Sequence, residues 1–380
     1  MADDRALTSR DGAARRVVRA LPLVLLPAAI LLQWGASLNP VLVERVYARG
    51  VYPVLVRGLV TLTAWLPFSL AELLLGAAIV WIVVRLVRTG VAVVKRRRPL
   101  TKVLISGGRG LLAVCGLLYL IGLVLWGFNY QRQPLAERAG FDTSPVAQSE
   151  LESLGRDLVV SVNELRGLMA EDGSGVMRLS GTPRKALERA SRGYEALAEH
   201  EPELVIHVRG RAKAVFSPIL LYLQTGGVYA PFTAEPNVSI AIPACELPLV
   251  ICHEMAHQAG LASEDEANFI GYLACSMHPD ADFRYSGTLV ALRYVLSALR
   301  RTDTSVHERL WEACDEGVRR DWQASWIFWQ RFEGKASRLS SQVYDTYLKS
   351  QGQEGGIASY GRMVNLLVAR DRIDRLRRAR

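Results

Sequence analysis

Three long apolar runs lie within the first 130 residues, and they constrain the fold of this chain more than any other feature of its sequence. A helix needs about 20 predominantly apolar residues to cross the hydrocarbon core of a bilayer, and each run is long enough. The runs predict transmembrane helices at about residues 20–42, 68–87 and 110–128. One such run can also be a buried core helix, but three runs so close together argue against that alternative.

Basic residues beside the apolar runs predict the orientation of these helices. The connection between the second and third runs carries seven Lys and Arg residues between Arg85 and Lys102, and no acidic residue. Loops rich in Lys and Arg stay on the cytoplasmic side, and Arg15 and Arg19 place the N-terminus on that side too. Three crossings then put everything after Tyr130 outside the cytoplasm. The sequence thus predicts a multi-pass cell-membrane protein in contact with lipid.

The formal net charge of +9 raises the question of a nucleic-acid partner. The basic residues, however, are concentrated beside the apolar runs and at the C-terminus. The sequence has no zinc-finger spacing, no aromatic RNA-binding signature and no glycine-rich phosphate loop. We therefore expect no nucleic-acid partner. The five cysteines are too few and scattered for a disulfide framework, so we expect buried free thiols, with a Cys245–Cys314 disulfide as the alternative.

The rest of the chain has the character of an ordinary globular domain. Amphipathic patterns predict helices at 149–170 and 183–200, ELVIHV and VSIAIP have the alternation of short strands, and almost everything after Leu247 is helical in pattern. The predicted fold class is α+β. A bundle of three transmembrane helices at 1–130 forms a membrane anchor, and an extracytoplasmic, mostly helical domain with a small sheet follows at 131–380.

The segment CHEMAHQAG carries the clearest chemical signal in the sequence. His253 and His257 are four residues apart, so on a helix they project from one face and can bind one metal ion. Glu254 is next to His253 and can reach a water at that ion without being a ligand. A core helix with two hydrogen-bonded histidines is the alternative. The intact HExxH pattern favours a Zn²⁺ site.

A third ligand is predicted just after this helix. Gly260 can end the helix as a left-handed cap, and Ser263 with Glu266 has the pattern of a capping box at the start of the next helix. Because the capping box gives Glu266 a structural role, we predict Glu264 as the third zinc ligand and keep Glu266 as the alternative. Asn268, one turn later, is predicted to support a ligating histidine by a hydrogen bond.

These residues together predict a zinc-dependent metallopeptidase that hydrolyses a peptide or protein substrate. Two histidines and one carboxylate leave the fourth zinc position open for water, which is the catalytic pattern, and Glu254 is the predicted general base. An oxyanion stabiliser is also needed, and we predict Tyr285, with Arg284 and Tyr229 as alternatives. Residues 235–242 are predicted to be either an edge strand that pairs with the substrate or an ordinary core strand.

Three other functions compete with this one. In a catalytically inert, zinc-braced scaffold or binding protein, Cys252 or Cys275 would close the site as a fourth ligand. In an intramembrane protease the motif would lie within a transmembrane helix, but here Glu264 and two more acidic residues follow it at once. In a membrane scaffold built by the helical C-terminal third, the site would be inert.

The sequence also resembles a family of membrane-anchored HExxH proteins catalogued as a domain of unknown function, number 3810. The blocks that carry the resemblance are PFSLAELLLG, WGFNYQRQPL, FSPILLYLQTGGVYAPFTAEPNVSIAIP, FRYSGTLVALRY and YLKSQGQEGGIASYGRMVNLL. The resemblance implies a zincin-like metallopeptidase domain on a membrane anchor, and it supplies no substrate. Glu264 and Asn268 are similar to the ExxxD segment of thermolysin-like (gluzincin) peptidases, in which the Glu is the third ligand. The six residues between His257 and Glu264 are far fewer than in thermolysin.

Overall fold

The computed structural model describes residues 24–95, 99–204, 207–208, 210–216, 218–351 and 360–378. Within them the chain is mostly helical with two small sheets. It divides into two compact units. The first is formed by Met1–Tyr52 and Ala71–Arg132, and the second by Pro53–Leu70 and Gln133–Arg380.

The first unit contains two helices that are long and apolar enough to cross a membrane. They are α4, Leu70–Val94, and α5, Leu100–Leu125. Both correspond to predicted helices, but both extend further into the basic connection than the 68–87 and 110–128 that the sequence predicted. Charged residues at the end of an apolar run end the hydrophobic stretch and need not end the helix, which explains the difference.

The predicted helix at 20–42 is not a single straight helix. Residues 20–23 lie outside the described residues, and helix α1, Val24–Ser37, is followed at a 97° bend by the helical segment Pro40–Thr63. Asn39 causes a new helix start, because its side chain accepts a hydrogen bond from the Leu42 amide (3.0 Å) and Pro40 follows it at the first helical position. A third crossing exists only if this bent pair is one span.

The segment Pro40–Thr63 consists of a short α2, a π-helical stretch and α3. After α5 the chain continues into the second unit. The remaining elements of the described chain, in order, are α2 Pro40–Leu42, the π-helix Val43–Val51, α3 Tyr52–Thr63, α6 Leu135–Arg138, α7 Gln148–Arg166, β1 Ala170–Glu171, β2 Met177–Arg178, α8 Pro183–Arg189, α9 Ser191–His200, β3 Lys213–Val215, α10 Ile219–Tyr222, β4 Gly227–Ala230, β5 Glu235–Ser239, α11 Leu247–Gln258, α12 Glu264–Ser276, α13 Ala281–Thr302, α14 Thr304–Glu312, α15 Glu316–Gln330, α16 Lys335–Ser350 and α17 Tyr360–Arg378. The helix predicted at 149–170 ends earlier, and the one predicted at 183–200 is two helices. The strand predicted in ELVIHV lies partly outside the described residues.

The larger sheet has the order β3–β5–β4, in which β3 is parallel and β4 antiparallel to the central β5. All five residues of β5 are buried. Residues 235–239 are therefore the core-strand alternative, and the prediction of an edge strand there is wrong, because strands pair with both sides of β5. The predicted strand ends early, because residues 240–242 are a turn. The edge strand beside the motif helix is β4.

Helix α11 lies at the centre of the second unit, between β4 and β5 on one side and α12 and α13 on the other. Its apolar residues Ile251, Cys252, Met255 and Ala256 are fully buried. Helix α12 comes close to it at Gly271, where a Cβ would lie 3.1 Å from the His253 amide nitrogen. A glycine at this position thus sets the distance between the helix that carries the histidines and the helix that follows.

Residues Pro53–Leu70, which the sequence assigned to the membrane anchor, belong to the second unit. The ammonium group of buried Lys213 donates hydrogen bonds to the carbonyls of Thr63 (3.1 Å), Ala64 (3.4 Å) and Leu66. The Leu70 amide donates to a carboxylate oxygen of Glu235 at 3.2 Å. These contacts tie the segment to the sheet, and a hydropathy pattern cannot reveal them.

All five cysteines are free, as predicted. Cys245 and Cys314 are buried in the second unit and form no disulfide, so the alternative pairing is wrong. Burial raises the pKa of the Cys314 thiol to about 11. The second unit therefore depends on packing and hydrogen bonds.

Candidate metal centre

Two histidines of α11 and one carboxylate of α12 meet at one point. Nε2 of His253 lies 3.2 Å from one carboxylate oxygen of Glu264, and Nε2 of His257 lies 3.5 Å from the other. One donor atom from each of the three side chains lies within 4.8 Å of the other two. The histidine rings are almost perpendicular, at 85°, with centroids 4.6 Å apart.

The turn after α11 orients His257. Gly260 has φ +91°, in the left-handed region as predicted, and the Leu261 amide returns to the Ala256 carbonyl at 3.2 Å. This places the Leu261 carbonyl 2.7 Å from Nδ1 of His257. A carbonyl can only accept a hydrogen bond, so Nδ1 carries a proton, and Nε2 is the ring nitrogen that faces Glu264. The short loop thus prepares the His257 ring as a metal ligand.

The predicted capping box does not form. Ser263 is the N-cap of α12, but its side chain makes no capping hydrogen bond. Glu266 instead accepts a hydrogen bond from the Leu135 amide (2.6 Å) and lies 3.6 Å from the Arg138 guanidinium. Its role is structural, as predicted, but its partners come from a distant part of the chain. Of the two glutamates considered as third ligand, Glu264 is the one that faces the histidines.

Glu254 lies beside this group in a space that only a glycine permits. A Cβ on residue 227 would lie 2.6 Å from both Cγ and Oε1 of Glu254, so strand β4 passes directly against the carboxyl group. Burial raises the pKa of Glu254 to about 7, against the lowering effect of the two histidines and a backbone hydrogen bond from Tyr229. Its Oε2 atom is buried and has no hydrogen-bond partner among the described residues.

Charge and burial act in opposite directions on the ligand side chains. Burial acts to lower the pKa of His257, but the Glu264 carboxylate outweighs it and raises this pKa to about 9. Burial likewise acts to raise the pKa of Glu264, yet the histidines hold it well below its usual value. A carboxylate and a proton-accepting imidazole at this distance attract positive charge, either a proton or a metal cation.

The group opens into a cavity of about 780 Å³. It is lined by residues of α11, α12, α13 and α15 and by the beginning of β4. Its apolar and aromatic lining residues include Leu249, Val250, Val290, Tyr294, Trp322, Trp326 and Trp329. The cavity is large enough for several peptide residues, and three tryptophans of α15 border it.

Glu246 is an acidic side chain of this cavity whose charge is compensated. It accepts hydrogen bonds from Arg293 (2.5 Å), Ser325 (2.5 Å) and the Trp329 indole (2.8 Å). The network holds Trp329 in place and joins α11, α13 and α15 across the cavity. No local sequence pattern indicates this network, because its four members are spread over more than 80 residues.

Tyr285, predicted as oxyanion stabiliser, does not reach the site. Its side chain is fully buried, and its hydroxyl donates to Asp321 at 2.6 Å. Burial and the Asp321 carboxylate raise its pKa far above the usual value. Asp321 also binds Arg166 at 2.7 Å, so this cluster is part of the core. The assignment is wrong because helical spacing alone cannot distinguish a core tyrosine from one that lines a cavity.

The alternatives to Tyr285 are placed differently. The Tyr229 side chain is buried, and only its backbone reaches Glu254. Arg284 does not line the cavity. Asn268 does line it, next to Glu264, but no hydrogen bond joins Asn268 to either histidine in the described part of the chain. Nδ1 of His253 is likewise buried without a partner among the described residues.

The three donor groups fit a zinc ion. Imidazole nitrogens and a carboxylate are usual zinc ligands, and three of them leave an open position. Cys252 and Cys275, the predicted closing ligands of a structural site, are buried in the core, and neither belongs to the group. Among the described residues the group thus has three donor side chains and no fourth one.

The model of the family described as "Protein of unknown function (DUF3810)" matches residues 47–368. No curated protein and no solved structure matches the chain. The matched region includes parts of both units and all residues of the candidate metal centre.

Proposed function

The chain belongs to the DUF3810 family of proteins of unknown function, and from its candidate metal centre we propose that it is a membrane-anchored zinc metallopeptidase. The observation that carries the proposal is the convergence of His253, His257 and Glu264 beside the buried carboxyl group of Glu254. Structural zinc sites are closed by four protein ligands, whereas this one is open towards a cavity.

The proposed reaction divides the work among the residues of the site. His253, His257 and Glu264 would hold the ion, which supplies Lewis-acid polarisation of a carbonyl and acidification of a water. Glu254 takes the proton of the attacking water and passes it to the leaving amine. Strand β4 holds the carboxyl group of Glu254 in a fixed position beside the three ligands, where it can accept and release this proton.

Strand β4 is the element that we propose to bind the substrate backbone. One side of β4 pairs with β5, while Gly226 and Gly227 at its beginning line the cavity. An extended peptide can add to the free side of an edge strand through backbone hydrogen bonds. The peptide would then pass over Glu254, and its side chains would face the aromatic wall of α15.

The basic connection between α4 and α5 supports an orientation. If Arg85 to Lys102 remains cytoplasmic, both Leu70 and Leu125 lie at the outer side of the membrane. The second unit, which is joined to the spans at these two ends, is then extracytoplasmic.

Zinc content and peptide turnover of the full-length protein in detergent test the proposal. We expect one zinc per chain, and we expect His253→Ala or His257→Ala to lose it, while the control His200→Ala, at an exposed histidine of the same unit, retains it. Glu254→Gln should keep zinc but lose ~10²–10⁴-fold in hydrolysis, the usual contribution of general-base catalysis.

Two outcomes would contradict the proposal. Zinc retained in the double histidine variant would show that the site is elsewhere. Zinc bound as expected, with no hydrolysis of a peptide mixture by the wild-type protein, would leave the inert, zinc-braced scaffold as the function.

A further inference from the structure

Helix α3 has one buried side and one apolar face that no described residue covers. Val56 is buried, and Val60 lies against the backbone of Gly210. On the other face, Val54 and Leu62 are both 67% exposed. Arg57 is also exposed beside this apolar stripe. An apolar stripe with an adjacent basic residue is the pattern of a helix that lies in the surface plane of a membrane.

Two aromatic side chains extend this face. Trp65, in the turn after α3, is 74% exposed, and Phe232, in the turn between β4 and β5, is 46% exposed. The two turns are joined, because the Thr63 hydroxyl donates to the Thr233 carbonyl at 3.3 Å. Exposed tryptophan and phenylalanine side chains are costly in water and are common at the headgroup level of membranes.

The chain itself limits how far this face can be from the bilayer. Trp65 precedes the first residue of α4, Leu70, by five residues, and an extended chain covers at most ~3.6 Å per residue, or ~18 Å in all. The Leu70 amide is also hydrogen-bonded to Glu235, the first residue of β5. The start of β5 therefore lies at the point where the chain enters α4.

From these contacts we infer that Val54, Leu62, Trp65 and Phe232 form a lipid-facing surface that lies in the outer headgroup region of the bilayer. The inference rests on the proposal that α4 crosses the membrane, and it is independent of hydrolytic activity. The face consists of a helix and a sheet turn that are hydrogen-bonded to each other, so it enters the bilayer surface as one piece. The edge strand β4, which leads directly into the Phe232 turn, is then held close to the membrane surface.

Spin labels in the full-length protein, reconstituted in phosphatidylcholine–phosphatidylglycerol vesicles, test this inference. Single cysteines replace Trp65 and Phe232, with Val80→Cys in the middle of α4 as the lipid control and Leu168→Cys, an exposed apolar residue at the end of α7, as the matched water control. The background is Cys115→Ala, since this is the exposed one of the five free cysteines. Collision rates with oxygen and with a water-soluble nickel chelate give the depth of each label.

We expect labels at 65 and 232 to collide with oxygen in preference to the nickel chelate, at a depth between those of labels at 80 and 168. If they match the label at 168 while the label at 80 is in lipid, the face lies in water and the inference is wrong. If the label at 80 is also in water, the membrane anchor of the proposed function fails instead. Wild-type thermal stability of each variant shows that the fold is intact.

Discussion

Replacing Gly227 by alanine should separate catalysis from metal binding. The added Cβ would lie 2.6 Å from Oε1 of Glu254, whereas ordinary contacts begin at 3.4 Å, so the carboxyl group must move by about 0.8 Å. A displacement of ~1 Å of a catalytic group can cost ~10²-fold in rate. The three atoms nearest to the new Cβ belong to Glu254 and Asn237 and to none of the proposed zinc ligands, so we expect kcat/KM to fall ~10²-fold while the zinc content stays at one per chain.

The assay compares peptide turnover, zinc content and thermal unfolding of Gly227→Ala with those of Gly173→Ala. The control has no atom within 4 Å of its new Cβ and should match the wild type. The new Cβ at 227 also approaches the Asn237 carbonyl at 2.9 Å, so a moderate loss of stability is expected as well. Unchanged turnover would show that β4 does not position Glu254. Loss of zinc together with turnover would show that β4 positions the metal ligands as well as Glu254, and either result would refute the reasoning.

Three further predictions address the third ligand, the topology and the response to pH. Glu264→Gln should weaken zinc binding by more than the ~10–100-fold typical of a supporting residue, because an amide is a poorer ligand than a carboxylate. Glu266→Gln should keep zinc and cost only ~1 kcal/mol in unfolding free energy. The reverse result in zinc titrations would exchange the roles of the two residues. A reporter fused after Lys102 should be active in the cytoplasm and one fused after Arg380 outside it, and a cytoplasmic C-terminal reporter would overturn the orientation. Burial acts to raise the pKa of Asp282, but hydrogen bonds from a neighbouring arginine lower it below the ordinary 3.8, so its stabilising effect is present above about pH 4 and is lost as the pH falls further. Asp282→Asn should therefore be less stable than the wild type at neutral pH. Unfolding followed by circular dichroism should show that the stabilities of the two proteins converge at low pH. A stability difference that does not change with pH would contradict the reasoning.

Local patterns in the sequence were sufficient for the motif helix and the turn that follows it. His253 and His257 are placed by helical spacing, and the left-handed conformation of Gly260 follows from the absence of a side chain. The positions of the apolar helices α4 and α5 also follow from composition over about 20 residues. In each case the information lies within one or two helical turns or one apolar run.

The contacts that the sequence did not predict join residues far apart in the chain. Glu266 has the local pattern of a capping residue but binds Leu135, which lies 131 positions earlier. Tyr285 has no local feature that distinguishes a core position from a cavity wall, and its partner Asp321 is 36 residues away. In the sequence Gly227 is one of two adjacent glycines, and only the fold shows that Glu254 lies against it. Such contacts depend on the packing of elements, which periodicity does not specify.

The attachment of Pro53–Leu70 to the sheet has a consequence for biosynthesis. The hydrogen bonds of the buried Lys213 ammonium go to carbonyls of Thr63, Ala64 and Leu66, which are made before the two long apolar helices, while Lys213 itself is made after them. A C-terminal fragment without this segment would lack the carbonyls that accept these hydrogen bonds, and the Lys213 ammonium that the segment covers would face water. The second unit is therefore complete only when the segment around Lys213, synthesised after the two apolar helices, packs against residues 53–70, synthesised before them. Its assembly must follow the synthesis of α4 and α5.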